Sequence, residues 1–237
     1  MTLISAPLFF QEKFEKDIIK TNSGDLVMTF IGHGSLMFEF NGLVIHIDPV
    51  MREAEYEKLP DADIILVTHE HGDHLDLTAI KHILKEDCPV VMTQSCMNNL
   101  EDFKAAVVMK NGDLKTIKSI SVEAIPAYNI EHKTPGGELF HPKGQGNGYI
   151  LTLGNIRVLV GGDTENTPEI KELKNIDIAF LPMNLPYTMT PEMVADAAKS
   201  FRPKILYPYH YGNTNTNELV ELLKSEKDIE VRIRKLE

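Results

Sequence analysis

A chain of 237 residues with 43% hydrophobic and 25% charged side chains has the make-up of a globule, which excludes fibrous and disordered classes. No stretch is apolar for long enough to cross a bilayer, and a formal net charge of -11 repels a phosphodiester backbone, so neither membrane nor nucleic-acid partners are expected. Cys88 and Cys96 lack C-x-x-C spacing, which argues against a disulfide scaffold or a thiolate zinc site and leaves two buried thiols.

In chain order, Phe9 to Lys20 has apolar residues near helical spacing and is expected as a helix ended by Asn22-Ser23-Gly24. Leu26 to Ile31 and Leu36 to Phe40 are β-rich, separated by Gly32-His33-Gly34-Ser35; Asn41-Gly42 then turns the chain into Leu43 to Ile47. After Asp48-Pro49, a short helix is expected over Glu53 to Lys58, a buried strand over Asp63 to Val67, and a helix over Leu75 to Lys85. Pro89 to Thr93 reads as a strand, Gln94 to Phe103 as a helix, and Ile120 to Ile125 as a strand after the Asn111-Gly112-Asp113 turn and Ile117. Pro126 to Gly148 is the longest irregular segment, and long loops of this kind usually carry function. A hairpin follows, Tyr149 to Leu153 and Ile156 to Val160 around Gly154-Asn155. Thr190 caps a helix over Pro191 to Phe201, with Pro at its first position. Lys204 to Tyr207 is a strand, Asn217 to Lys224 the last helix and Ile229 to Ile233 the last strand. No low-complexity linker divides the chain, so one domain is expected over 1–237; Met1 to Phe10 lacks the basic start and cleavage site of a signal peptide, which favours the cytoplasm.

The chain also repeats itself. A strand then Asp48, followed by Asp63 to His69, is echoed by a strand then Asp163, followed by Asp177 to Asn184, and the interval from Asp48 to His69 equals that from Asp163 to Asn184. A duplicated αβ half is the simplest cause.

Chemistry concentrates at Thr68-His69-Glu70-His71-Gly72-Asp73-His74, directly after the apolar run Ile64-Ile65-Leu66-Val67. Imidazole nitrogens and carboxylate oxygens suit a borderline divalent ion, and a buried strand is a rigid base for them. His69 and His71, two apart, can point at one ion, while Asp73 and His74, displaced around Gly72, can face a second. His46 and His82 fall on a strand and a helix and are expected to be packing or surface residues.

With these residues, Asp163 in Gly161-Gly162-Asp163-Thr164 and His210 at a strand end, the chain resembles the metallo-β-lactamase-fold hydrolases. Gly32-His33-Gly34-Ser35, Ile47-Asp48-Pro49, Pro126-Ala127-Tyr128-Asn129, His141-Pro142-Lys143-Gly144 and Tyr187-Thr188-Met189-Thr190 resemble the branch with ascorbate-phosphate lactonases and N-acylphosphatidylethanolamine phospholipase D. The resemblance implies an α+β fold, a four-layer αβ/βα sandwich with metals at one edge. It implies a first metal on His69, His71 and a third His, a second on Asp73, His74 and His210, and Asp163 bridging. Where the phospholipase-like pattern has a His after Pro-Ala-x, this chain has Asn129; His141 is favoured as the third ligand and His132 is the alternative.

Two adjacent divalent ions, zinc first with manganese or iron as alternatives, can share and acidify a water, so hydrolysis of a small ester, lactone or phosphoester is expected. Asp73 would orient that water or take its proton, and His33, which the resemblance places close to the site, would either relay a proton or touch substrate, or bond the backbone and support the site from behind. Asp48 would support a ligating histidine; Tyr128, Asn184, Tyr187, Met189 and Tyr211 should rim the site, while Lys143 and Arg202 are cations able to meet an anion. A nuclease of the same fold is the alternative enzyme, and a metal-binding or regulatory protein without turnover the alternative class.

Overall fold

Alternation of inward and outward side chains governs the strands of the computed structural model, which describes residues 14–100 and 103–237. The first sheet contains β1 (Glu15–Thr21), β2 (Gly24–Gly32), β3 (Ser35–Phe40), β4 (Leu43–Ile47), β5 (Ile64–Leu66), β6 (Val90–Met92) and β7 (Ala106–Val108), in that order. The second contains β8 (Leu114–Ile117), β9 (Ile120–Ala127), β10 (Gly146–Leu153), β11 (Ile156–Val160), β12 (Ile178–Pro182), β13 (Ile205–Tyr209) and β14 (Glu230–Val231), again side by side in chain order. The β1 to β4 pairings are antiparallel and those from β4 to β7 parallel. The second sheet repeats this, antiparallel from β8 to β11 and parallel from β11 to β14. The echo between Asp48–His69 and Asp163–Asn184 therefore has a counterpart in topology, since Asp48 follows β4 and Asp163 follows β11.

Ile64 and Leu66 of β5 face a core built from both sheets, and the alternating Ile65 and Val67 face an outer core. That outer core includes Ala79, Ile80 and Ile83 of helix α1 (Leu77–Ile83) and Cys96 of α2 (Gln94–Asn98). Burial on both faces is why β5 reads as an unbroken apolar run. Beyond the second sheet lie α3 (Pro168–Lys171), α4 (Pro191–Phe201) and α5 (Thr216–Leu223). The α4 helix starts where the sequence places it: Thr190 Oγ1 accepts from Met193 N at 3.2 Å, and Val194, Ala198 and Phe201 bury one face. Helices outside two facing sheets make the four-layer sandwich. No helix among the described residues is long and apolar enough to cross a membrane.

Three expected helices change. Residues 9–13 of the first lie outside the described residues, and Glu15–Thr21 is strand β1, paired from Glu15↔Phe30 to Thr21↔Gly24. The apparent helical spacing misleads because Ile18 points to solvent, 61% exposed, while Asp17 and Ile19 turn inward with period two. Only Tyr56–Lys58 of the second segment coils, as a 3-10 turn, and α2 stops at Asn98 where Asn99 N bonds back to Cys96 O.

Asp17 ties that hairpin to β13 and to the segment after β14. Its carboxylate accepts from Arg234 Nη2 at 2.7 and 2.8 Å, from Arg232 Nη1 at 3.0 Å and from the Tyr207 hydroxyl. Burial would raise its pKa, but the bonds from Tyr207, Arg234 and Arg232 outweigh it and hold the carboxyl below its ordinary value. Its folded pKa is thus below its unfolded one, so its stabilisation is complete above about pH 4 and lost as pH falls through the folded value. Asp17→Asn is expected to cost on the order of 1 kcal/mol at neutral pH, since the cluster is partly solvated. Urea melts of the variant should converge on wild type in acid; an equal gap at pH 3 and pH 7 would contradict this.

Candidate metal centre

The chemistry-bearing side chains stand on loops at one edge of the sandwich. His33 follows β2, Asp48 follows β4, His69 to His74 follow β5, Asp163 follows β11 and His210 follows β13, while His141 lies in the segment between β9 and β10. The second sheet pins the His-rich loop: Tyr149 Oη donates to Val67 O at 2.9 Å, and Asn147 N to Thr68 O at 2.9 Å. Close approach explains two glycines. A Cβ on Gly34 would lie 2.9 Å from His74 Cε1, and one on Gly162, at φ +64°, would lie 2.8 Å from Asn147 O. His33, Asp48 and His210 take φ of 50°, 45° and 46°, a left-handed conformation that costs a residue with a side chain about 1 kcal/mol or more.

Asp163 sits at the centre. Its Oδ2 lies 3.2 Å from His141 Nε2 and 4.0 Å from His69 Nε2; its Oδ1 lies 3.4 Å from His74 Nε2 and 3.5 Å from His210 Nε2. Donor atoms of His69, His71 and His141 fall within 4.8 Å of one another, as do those of His69, His74 and Asp163, and those of His33, Asp73 and His210. The structure thus joins Asp73 to His210, with Oδ2 3.5 Å from Nε2, and adds His33, whose Nε2 is 3.4 Å from the same oxygen.

Second partners aim the rings. Asp48, fully buried, accepts from Thr68 N and Thr68 Oγ1, each at 2.7 Å, and from His74 Nδ1 at 2.8 Å, which turns His74 Nε2 towards Asp163. His141 Nδ1 donates to Asn129 Oδ1 at 2.7 Å, leaving its Nε2 for the centre. The inward atoms His69 Nε2, His74 Nε2, His210 Nε2 and Asp163 Oδ1 are buried with no hydrogen-bond partner. Buried polar atoms left in this state are costly, and a cation is the partner that lone pairs from several directions share.

The electrostatics agree with that fit. Burial, then the neighbouring imidazoles His74 and His141, push His69 well below the ordinary histidine value, and burial with His141 lowers His71, so both rings are neutral donors. Burial opposes charge on His74, yet the carboxylates of Asp163, Asp48 and Asp73 push it up to about 9. Burial would raise Asp73 and Asp163, but their histidine neighbours hold both low. Ionised carboxylates beside the neutral His69 and His71 favour positive charge among them, the same pull that raises His74, and the thiolate-free N and O donor set suits zinc, manganese or iron.

His132, the alternative third ligand, stands apart: its Nδ1 is 2.8 Å from Glu165 Oε1, an ion-pair separation without hydrogen-bond alignment. Glu165 itself was not legible in the sequence. Its buried carboxylate accepts from Ile130 N, Glu131 N and His132 N at 2.7 to 2.8 Å and from Asn129 Nδ2 at 2.9 Å, fixing the loop that carries Asn129. Asn129 occupies the place of the missing histidine and orients His141 instead. Asn129→Ala is expected to lower metal affinity about 10–100-fold, read by equilibrium dialysis against a competing chelator; unchanged affinity would contradict this role.

A cleft of about 360 Å³ opens over the centre, lined by His33, His71, Asp73, His141, Asp163 and His210, with Asn184 and Tyr187 at its side as expected for the rim. Three other rim expectations are corrected. Tyr128 is buried with Oη donating to Glu169 Oε2 at 2.9 Å, Met189 is fully buried in the core, and Tyr211 Oη donates to Arg234 O at 2.7 Å. Loop membership alone did not separate side chains that face the cleft from those that anchor the loops. Arg52 and Phe140 do line it. Phe140 precedes His141 in the chain, which was a usable signal; Arg52 had none.

A donor set of this kind, at the strand-end edge of a four-layer sandwich, fits a metal-dependent enzyme. The profile of the beta-lactamase superfamily domain matches residues 27–210, and the chain belongs to that superfamily. Among curated relatives, it is 27% identical over 199 residues to a metal-dependent hydrolase of Methanopyrus kandleri, covering 78% of this chain and 84% of that one. A metal-dependent hydrolase of a Geobacillus strain is 30% identical over 194 residues, 78% and 85% of the two chains. Among solved structures, a candidate metal-dependent hydrolase from Parabacteroides distasonis superposes with a TM-score of 0.89 at 49% identity, covering 94% of this chain and 100% of that one. The metallo hydrolase Igni18 from Ignicoccus hospitalis shares the fold, with a TM-score of 0.71 at 21% identity over 88% and 94% of the chains.

Proposed function

We propose that the protein hydrolyses a small ester, lactone or phosphoester with two divalent ions, zinc first, held on either side of Asp163. The observation that carries this reading is the split of the Asp163 carboxylate, Oδ2 towards His69 and His141, Oδ1 towards His74 and His210. His69, His71 and His141 would hold one ion, and Asp73, His74 and His210 the other, with Asp163 common to both. A bound pair of divalent ions supplies Lewis acidity and water acidified towards neutral pH.

The side chains around it position substrate and move protons. His33 Nδ1 lies 3.1 Å from the main-chain oxygen of Glu237, which can only accept, so that nitrogen carries a hydrogen. His33 Nε2, facing Asp73, is then the atom where a further proton would arrive or leave, and the ionised Asp73 carboxylate orients that ring towards the cleft. Asn184 and Tyr187 offer an amide and a phenol to substrate. The cleft holds one arginine and no track of cations among the described residues, which favours a small molecule over nucleic acid.

Turnover of a panel of lactones, aryl esters and phosphodiesters, measured with metal restored and then chelated, tests this reading. Activity towards one class that chelation abolishes and zinc returns is expected. Full activity in metal-free protein would overturn it, and silence towards every class with metal bound would favour a binding protein.

A further inference from the structure

Three cations invite an anion, and two are already engaged. Lys143 Nζ donates to Glu169 Oε1 at 2.6 Å and to Tyr128 Oη at 3.3 Å, and the Arg202 guanidinium is held by Asp228 and Glu226. Arg52 is the one lysine or arginine lining the cleft among the described residues. Its Nε donates to Glu53 Oε1 at 2.8 Å, and its side chain is 62% exposed. That contact orients the guanidinium by one edge and leaves both Nη groups, the half of the fork that meets a carboxylate or phosphoryl group with two parallel bonds, without a partner among the described residues. Asp73 and Asp163 face the same cleft and would repel an anion were their charge not offset, so anion binding here rests on the two-ion reading above.

The cleft has an apolar side as well. Phe140 and Tyr187 meet edge to face, ring centroids 5.0 Å apart at 73°, and Tyr187 stays 45% exposed. Asn129 Nδ2 donates to Tyr187 O at 2.8 Å and so ties together the segments 128–145 and 183–190. These segments also carry two further exposed large apolar side chains, Ile130 and Leu185. A half-buried Phe140 backing an exposed Tyr187 beside a polar centre is a surface on which a flat apolar group gains contact without losing hydrogen bonds.

We infer that the site takes substrates carrying an anionic group, held by Arg52, and an aryl or similarly flat apolar group, held by Phe140 and Tyr187. Net negative charge on the protein makes this selectivity local, a single arginine facing a cleft in a chain of charge -11.

Calorimetric binding to zinc-restored protein separates the parts of the inference. The probes are phenylacetate, phenylphosphonate, the neutral isostere phenylacetamide, and acetate. Wild type is expected to bind phenylacetate or phenylphosphonate at least tenfold more tightly than phenylacetamide, and the preferred anion tells a carboxylate substrate from a phosphoryl one. Arg52→Gln should weaken that anion at least tenfold, with zinc content and melting temperature unchanged, and Arg52→Lys should restore part of the loss. Tyr187→Ala should remove most of the advantage of phenylacetate over acetate. An anion affinity that Arg52→Gln leaves intact would mean the metals alone hold the charge and would overturn the proposal, as would equal binding of anion and amide by wild type. An aryl advantage that survives in Tyr187→Ala would overturn its apolar half. Arg52-dependent binding without hydrolysis of any ester would leave this inference standing and remove the hydrolase reading instead.

Discussion

Asp163→Ala is expected to abolish detectable hydrolysis and to reduce bound metal to one ion or none. One carboxylate faces imidazoles on both sides, so its loss removes a donor from each proposed ion and the group that holds the pair together. Lewis-acid stabilisation of a transition state is worth several kcal/mol, which at 1.36 kcal/mol per decade makes the expected loss in kcat at least about a thousandfold. Elemental analysis of the purified variant, beside its rate at saturating substrate, checks both parts. Asp163→Asn, which keeps an oxygen donor, should fall between; a variant with wild-type rate and full metal content would contradict the central position given to this residue.

The second large effect is expected at Asp48, which touches no substrate. Its carboxylate, fully buried, holds Thr68 N, Thr68 Oγ1 and His74 Nδ1. Asp48→Ala leaves a buried imidazole and a buried amide without an acceptor, an uncompensated pair loss that costs about 3–5 kcal/mol. It also frees His74 to rotate, so metal affinity should fall by about 10–100-fold in whatever protein still folds. Chemical denaturation of the metal-free variant reads the first effect and chelator competition the second. Asp48→Asn separates them further, since its amide oxygen can accept from His74 while its nitrogen cannot accept from Thr68. A wild-type denaturation midpoint for Asp48→Ala would show that the loop is held by other contacts.

What the sequence disclosed and what it hid follow from how far each signal reaches. The His69 to His74 cluster was legible because ligand types stood close together after an apolar run, and the structure does bring them to Asp163 and His210 from distant parts of the chain. The strand ladder was legible wherever both faces are buried, as in β5, or where Asn41-Gly42 forces the turn, both residues taking positive φ, 50° and 79°. The first hairpin was hidden because a twelve-residue stretch with Ile18 outward imitates helical spacing, and its strand character comes from pairing with β2. Within the loops, sequence could name the segments near the metals but not which side chains turn inward. Tyr187 faces the cleft, whereas Met189, two residues on, is buried in the core. Asn129 shows the same limit: its identity suggested a missing ligand, and only its bond to His141 Nδ1 shows what it does instead.

The repeated halves explain why the site lies where it does. Each half ends a parallel pair of strands at the same edge, β4 with β5 and β11 with β12, and loops leaving the ends of those strands carry Asp48, the His-rich turn, Asp163 and Asn184. Neither half alone holds the donor set proposed for the two ions; the first would supply His69, His71, Asp73 and His74, and the second Asp163, His141 and His210.

Anomalous X-ray diffraction from crystals of protein purified without added metal is the most direct test, with an absorption-edge scan to identify the element. Two peaks are expected, one among the nitrogens of His69, His71 and His141 and one beside Asp73, His74 and His210, with the Asp163 carboxylate between them. A single peak, or peaks away from Asp163 in metal-replete and active protein, would contradict a two-ion hydrolytic centre.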